Sequence, residues 1–507
     1  MEFERIPKEK FEFAQMDKDI HDKKLETKTR SFFADAMIRF KKNESSVVAA
    51  WILLFLVIFA FLSPILSPIE YTLKDKRFIN SPPFIREIAE KGWGIFDGAV
   101  VHESQNEAQM NQWKAIGIET GYDPVVEILG TTETTVKVRG QDKITYSYKM
   151  STNRYYDTGV VYLTLSYEDF EAIQQWQNET GIQVIYPYVH PDDINGITDN
   201  PNIWYKVDRK GAAVLDKEGN FTPVYCTKSE IEGAPYNSIR VPGDDGSYIY
   251  SIRKSGAVNA RVCYYNYYTF VNGHEPMYIF GTNSMGQDLF SLIGVGARFS
   301  LIFAVVISAI NLSIGAIYGA IQGYYGGMVD MLMDRFADIV SGIPFTVVTI
   351  LFQLHLAQKV GSVGAFLFAF VMTGWLGMAA LTRKQFYRFK SQEFVFAART
   401  LGASDKRLMF KHIFPNAMGT IITNCALVIP SVISSETQLT YLGIINIADF
   451  AGSSIGTLMS QGQTSMTTSP HAMFFPAVYF ALLLICFNLF GNGLRDAFNP
   501  ATRGVED

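Results

Sequence analysis

A chain of 507 residues with 48% hydrophobic and 18% charged residues and a net charge of −5 is more apolar than most soluble proteins, and it lacks the basic excess that a nucleic-acid partner requires. Its mean hydropathy of +0.09 averages two unlike parts that separate along the chain. A purely soluble protein is excluded.

Residues 1–46 are a charged opening segment, with Arg39, Lys41 and Lys42 just before the first apolar run. Residues 47–66, VVAAWILLFLVIFAFLSPIL, carry no charge over about 20 residues, enough at ~1.5 Å per residue to cross a ~30 Å hydrocarbon layer. The run lacks a small-residue cleavage pattern, so it reads as a retained first transmembrane helix and not as a removed signal peptide.

Residues 67–280 cannot be membrane. From 67 to 296 there are 29 Asp plus Glu against 20 Lys plus Arg. The pattern is that of an α+β domain. TVKVRGQDKITYSY reads as a hairpin and VVYLTLS as a strand. Ser166 and Asp169 stand in capping-box spacing at the start of a helix that ends before Gly181, and IQVIYPYV returns to strand. Cys226 and Cys263 fall here, either bonded to each other or as two buried thiols. Tyr264, Tyr265, Tyr267 and Tyr268, a few residues before the next span, fit an aromatic belt at a membrane interface.

Five further apolar segments, 297–322, 336–357, 360–382, 414–442 and 473–490, bring the count to six spans within a core of residues 281–490. Lys and Arg accumulate before the first span and in the loop 383–413, which includes Arg383, Lys384, Arg388, Lys390, Arg399, Lys406, Arg407 and Lys411. By the positive-inside rule both places are cytoplasmic, and six spans return the tail 491–507 to the same side. The residues 67–280 then face outside. Asp330, Asp334 and Asp338 share one helix face at the start of the third span and read as bracing. Asn424, Ser431 and Ser434 in the fifth span, with Glu436 beyond them, are pore-lining candidates because polar side chains facing lipid are costly.

Catalytic chemistry is missing from the pattern. There is no GxxxxGK[ST] loop, no HExxH, no GxSxG and no Cys/His cluster, and the seven histidines are scattered. The expectation is a non-enzymatic chain with no metal and no cofactor of its own, whose energy source lies on another chain. The segment EFVFAARTLGASDKRLMFKHIFPN, residues 393–416, is a candidate docking lever. Small Ala397 and Ala398 let a partner approach the backbone, and Gly402 permits a sharp turn. Ser404 is placed to cap a second short helix over 404–410, and Pro415 restarts the chain as a new span.

That segment resembles the EAA loop of ABC importer permeases, whose pattern is Glu, paired alanines, three residues, Gly and a late Ile-x-Leu-Pro. Glu393, Ala397, Ala398, Gly402 and Pro415 match, with Phe414 at the Leu position, and HIFPN is similar to the HILPN of the peptide and nickel branch. GTNSMGQDLFSLIGVGARFSL, GYYGGMVDMLMDRFADIVSGIP and NLFGNGLRDAFNP look like the C-type permease subunit of oligopeptide and dipeptide importers, with Asn283 in place of Asp and Gln287 in place of Arg. The resemblance covers residues 40–66 and 281–503, so the large outer domain is a departure from the family, in which a short loop is usual.

The resemblance implies a type I importer fold: an α-helical polytopic membrane protein of six transmembrane helices with an α+β extracellular domain inserted between helices 1 and 2. It implies an ATPase-coupling role for Glu393, Ala397, Ala398, Gly402, Ala403, Ser404, His412 and Pro415, and a role for Glu436 near the outer gate. The partners implied are a second homologous permease, two ABC ATPase subunits that bring ATP and Mg, an extracellular peptide-binding lipoprotein and membrane lipid. Two alternatives stay open: a non-transporting receptor or scaffold, and an importer of nickel or another small solute.

Overall fold

The structure, a computed structural model, describes residues 32–138, 141–189, 199–209, 211–226, 248–445, 447 and 452–498; most of the opening segment and the end of the tail lie outside these. Five helical stretches are long and apolar enough to cross a membrane, and a bent helix pair makes up to six.

A short helix α1 (Phe32–Lys42) precedes α2 (Glu44–Leu66), which the Asn43 side chain caps by accepting from the Ser46 amide. The next span, α7 (Leu289–Tyr325), begins eight residues before its apolar run, because Asp288 accepts from the amides of Phe290 and Ser291 and nucleates the helix earlier than hydropathy shows. The third span is not one helix. α8 (Gly327–Ser341) and α9 (Phe345–His355) meet at 71°. Pro344 supplies no N–H and disfavours helix at Ile343, so the SGIP sequence breaks the rod. α10 (Ala357–Gly374) and α11 (Leu376–Phe389) together form the fourth span. α14 (Phe414–Tyr441), a short α15 (Ile455–Thr464) and α16 (His471–Phe498) complete the core.

Lipid gives no hydrophobic push between helices, so close contact has to come from shape. Gly315, Gly319 and Gly323 repeat every four residues on α7. A Cβ at any of them would collide with α11, at the backbone oxygens of Trp375, Ala379 and Arg383 respectively. On the other side, Tyr479 of α16 donates to the Leu56 carbonyl of α2 at 2.9 Å.

Between α2 and α7 the chain forms two antiparallel sheets. β1 (Ala99–Asn106), β2 (Val125–Val138) and β3 (Gln141–Asn153) lie in the order β1-β3-β2. This includes the expected hairpin, whose turn at 139–140 lies outside the described residues. α4 (Glu107–Thr120) crosses this sheet, seating Met110, Trp113 and Ile116 on Met150. In the second sheet β7 (Ala257–Cys263) pairs with β4 (Val160–Leu165), β5 (Ile185–Tyr186) and β6 (Ser251–Lys254). α5 (Tyr167–Thr180) starts where Ser166 Oγ accepts from the Asp169 amide at 3.0 Å and stops at Gly181, φ 76°. Arg261 of β7 is wholly buried and joins the two sheets by a bidentate pair to Glu119 of α4, both N···O distances 2.6 Å.

One open alternative is decided here and one expectation fails. Cys226 and Cys263 are not joined by a disulfide: Cys226 packs with Tyr188 and Ile249, and Cys263 sits in a separate aromatic cluster. Burial pushes the Cys263 thiol up to about 11. The tyrosines are no membrane belt either. Tyr265 and Tyr268 are buried core of helix α6 (Tyr264–Asn272), packed with Phe78, Phe84, Tyr155 and Tyr278, and the hydroxyls of Tyr264 and Tyr265 donate to Asp75 and Glu275 at 2.8 and 3.0 Å. Their polar tips are satisfied by carboxylates and do not need a headgroup layer.

The sheet region is tied to the spans by hydrogen bonds. The Asn80 amide donates to the Asn283 carbonyl at 3.0 Å, Ser81 and Thr282 bond in both directions, and Ser469 Oγ donates to the Asn80 carbonyl at 3.1 Å. Two of the positions where the sequence differs from the family pattern lie at this joint, Gln287 reaching across it and Asn283 bracing its core side. Gln287 Nε2 donates to the Tyr71 carbonyl at 2.9 Å, and Asn283 Nδ2 to Gln461 Oε1 of α15 at 3.4 Å.

Candidate functional site

The lever is built by α12 (Glu393–Thr400), a turn, and α13 (Asp405–Arg407). The turn is a Schellman motif. The Gly402 amide donates to the Arg399 carbonyl at 3.0 Å and the Ala403 amide to Ala398 at 3.1 Å, with Gly402 at φ 82°. Glu393 is exposed in the first turn of α12, where its charge suits the helix dipole. Ala397 is exposed, and Ala398 and Ala403 are half-buried against the cluster below.

The second arm differs from its expected form. Ser404 has the extended backbone of a cap, yet its side chain makes no capping hydrogen bond. Nor does Pro415 restart the chain: residues Leu408–Ile413 form a π-helical turn running directly into α14, so Asp405–Tyr441 is one continuous helical stretch. A proline clashes with the carbonyl four residues back, and the wider π turn around Lys411 makes room for it. His412 lies half-buried within that turn, its carbonyl accepting from Asn416 Nδ2 at 2.7 Å.

Val395, Leu408, Met409 and Ile413 bury the inner face of the lever against Ala320, Tyr324 and Phe386. Tyr324, near the end of α7, clamps both arms: its hydroxyl donates to Asp405 and accepts from Arg399 at 3.2 Å. The outer face carries exposed apolar side chains, Phe394, Phe396, Phe410 and above all Leu401 at 88% exposure. The basic residues Lys406, Arg407 and Lys411 line a hollow beside Phe410. Sequence reading counted the charges and missed these apolar knobs. Their signal was present as large hydrophobics alternating with charge. The lever sits at one end of α7 and the sheet region at the other, roughly 55 Å apart at ~1.5 Å per residue.

The three aspartates brace the same end. Arg383 of α11 reaches Asp330 and Asp334 at 2.7 and 2.8 Å, and Arg335 holds Asp338 at 2.9 Å.

A cavity of about 590 Å³ opens between α7, α10, α11 and α14. Of the pore-lining candidates, Asn424 and Ser431 line it and Ser434 does not. Glu436 is fully buried elsewhere, accepting from Ser300 at 2.7 Å and standing near Thr437 and Thr440, so it joins α14 to α7 and faces no opening. Asn311, Thr373, Lys384 and Ser435 line the cavity without having been singled out. Asn311 was findable as an isolated amide within an apolar span, whereas Lys384 had been counted only as loop charge.

A membrane core with an exposed apolar lever at one end and a cavity between its spans, lined by apolar side chains with a few polar ones among them, is the class of a permease subunit. The chain belongs to the family of binding-protein-dependent transport system inner membrane components, whose model matches residues 312–504. Residues 31–83 match the N-terminal TM domain of oligopeptide transport permease C, so the two matched stretches flank the sheet region. The oligopeptide transport system permease protein OppC of Bacillus subtilis is 39% identical over 224 residues, which is 44% of this chain and 72% of that protein. The dipeptide transport system permease protein DppC of the same organism is 37% identical, over 44% of this chain and 69% of that protein. OppC of Haemophilus influenzae is 38% identical, over 45% and 72%. The chain is thus a C-type ABC importer permease of type I fold and a pore-forming, non-enzymatic transport subunit in the membrane.

Proposed function

We propose that this chain forms one half of the translocation pore of an ATP-driven importer of oligopeptides or dipeptides. It works with a second homologous permease, two ATPase subunits that bind ATP and Mg, and an external peptide-binding lipoprotein. Both termini and the lever face the cytoplasm, and the sheet region stands outside. The basic loop 383–413 supports this sidedness, as does the position of the sheet region at the far end of α7.

The observation that carries the reading is the continuity of the lever with the pore wall. Glu393, Ala397, Ala398, Gly402, Ala403 and Ser404 form a rigid turn whose second arm, through His412 and Pro415, runs into α14 with no flexible joint. α14 carries Asn424 and Ser431 on the cavity. A push on Leu401, Phe394 and Phe396 from an ATPase groove therefore reaches the cavity wall. Gly402→Trp forces a side chain onto a left-handed backbone, and Glu393→Arg reverses the charge at the α12 start. Both variants should stay in the membrane with the second permease but lose co-purifying ATPase and peptide uptake. Normal ATPase recovery with normal uptake in both would overturn the coupling assignment.

A further inference from the structure

The cavity wall has a polarity that transport alone does not demand. Asn311, on α7, is only 2% exposed. Its Nδ2 donates to the Phe370 carbonyl at 3.5 Å, which sets the orientation of the amide. Its Oδ1 then has no hydrogen-bond partner among the described residues, although the residue lines the cavity. The side chain is also held in place, because Gly374 packs so tightly against it that a Cβ there would collide with the Asn311 amide. A buried acceptor without a donor is costly, so this one is set for a donor that arrives from the cavity.

A second feature points the same way. Lys384 lines the same cavity toward the lever end, and it is exposed. Its neighbour Arg383 is bound by Asp330 and Asp334, but no carboxylate is among the described residues of the cavity wall to meet Lys384. Asn424 donates its Nδ2 to Thr420 of its own helix at 2.8 Å, which leaves the carbonyl end of its amide as the acceptor. From Asn424 to Ser435 α14 rises roughly 16 Å at ~1.5 Å per residue. That is the reach of about five residues of extended peptide. The wall thus offers neutral acceptors along its length and a cation at its inner end. A metal cation finds no anionic or imidazole ligand on it.

We propose that this wall reads the peptide backbone: Asn311 Oδ1 accepts a main-chain N–H of the passing peptide, and the Lys384 ammonium receives its C-terminal carboxylate. The inference rests on the peptide-import reading and goes beyond it by assigning contacts. It explains how one wall serves many sequences, since amide N–H and terminal carboxylate are common to them all. It also fixes the peptide's direction, carboxylate toward the cytoplasm.

The test uses the complete transporter with its binding protein in proteoliposomes, loaded with tetra-alanine, its C-terminal amide, and tetra-alanine N-methylated at one internal amide. The binding protein is the same throughout, so its own preferences cancel when variants are compared as ratios. In Lys384→Gln the preference of the native transporter for free acid over amide should fall about tenfold, the scale of a lost charge-assisted hydrogen bond. In Asn311→Leu the native penalty for N-methylation should disappear, while Asn311→Asp, which retains the acceptor, should keep it. If Asn311→Leu fails to assemble, Lys384→Gln and Asn311→Asp still decide. An unchanged acid-over-amide preference in Lys384→Gln, or an N-methylation penalty that is lost in Asn311→Asp, overturns the proposal. A uniform loss for all three probes, with loss of the co-purifying second permease, also overturns it by making Asn311 a subunit contact. Failure of the native complex to import any of the probes while importing another solute would instead overturn the peptide reading itself.

Discussion

The spans and the sheet region solve the same problem, fixing distant segments without slack, by opposite means. The spans bring backbones together: Gly315, Gly319 and Gly323 remove side chains so that α11 lies directly on α7. The sheet region fills the gap with large polar side chains, with Arg261 gripping Glu119 and stacked tyrosines around Phe78 and Phe84. Both bury charge, but to different depths. Arg383 and Asp330 keep 28% and 12% of their side chains exposed at the lever end, whereas Arg261 and Glu119 keep 0% and 4%. Where lipid offers no hydrophobic gain, closeness of backbones is the remaining source of cohesion. Where water surrounds the fold, a desolvated pair can be afforded if every donor is matched.

This contrast makes its strongest prediction on α7. Gly319→Leu places a side chain where the Ala379 carbonyl of α11 already lies, backbone that cannot step aside. We expect no folded permease and no assembled transporter, read by size-exclusion chromatography of the solubilised complex. A normal elution profile would mean that the two helices do not depend on contact at that point.

A smaller and more local effect is expected in the sheet region. Arg261→Met leaves Glu119 buried and uncompensated, which costs about 3–5 kcal/mol, whereas Arg261→Met with Glu119→Leu removes both charges and should regain most of it. Limited proteolysis of the full-length protein should show the single variant cleaved within the sheet region while the spans remain intact. Cleavage spreading into the spans would show that the two regions unfold together and that the contrast is false.

The difference also governs what the sequence discloses. Span cohesion is written locally: apolar length was legible, as was the lever pattern from Glu393 to Pro415, which lies within one stretch, whereas the four-residue glycine spacing on α7 stood there as well and went unread. The break at Pro344 was written there too but was read through, because hydropathy averages over a proline. The π turn before Pro415 was hidden for the opposite reason, since the proline was taken as a start when the helix widens to admit it. In the sheet region the decisive partners are far apart in the chain. Glu119 meets Arg261, Asp75 meets Tyr264, and the tyrosines take buried places that composition alone assigned to an interface. Periodicity gave the hairpin, the strand at 160–165 and the α5 caps, but it says nothing about which elements meet. At the cavity the same limit applies: Asn424 and Ser431 were found from spacing on one helix, whereas Asn311 and Lys384 join them only through packing of three others.

The smallest predicted effect refines the comparison within the sheet region itself. Asp157 keeps only 6% of its side chain exposed and is held by Arg154 at 2.9 Å, yet burial outweighs the cation and pushes its carboxyl up to about 6 from an ordinary value of 3.8. The folded state therefore binds a proton more readily than the unfolded chain does. The resulting stabilisation is fully present below about pH 4 and is lost as pH rises through about 6, by at most about 3 kcal/mol. Asp157→Asn removes the charge that burial disfavours while keeping an oxygen for Arg154. It should leave stability unchanged near pH 4 and raise it above pH 7, with the crossover near 6. Amide hydrogen exchange across residues 153–159 of the full-length protein, followed between pH 4 and 8 after correction for the intrinsic exchange rate, checks this. An Asn variant that exchanges faster than native above pH 7 would show that the Arg154 ion pair outweighs burial.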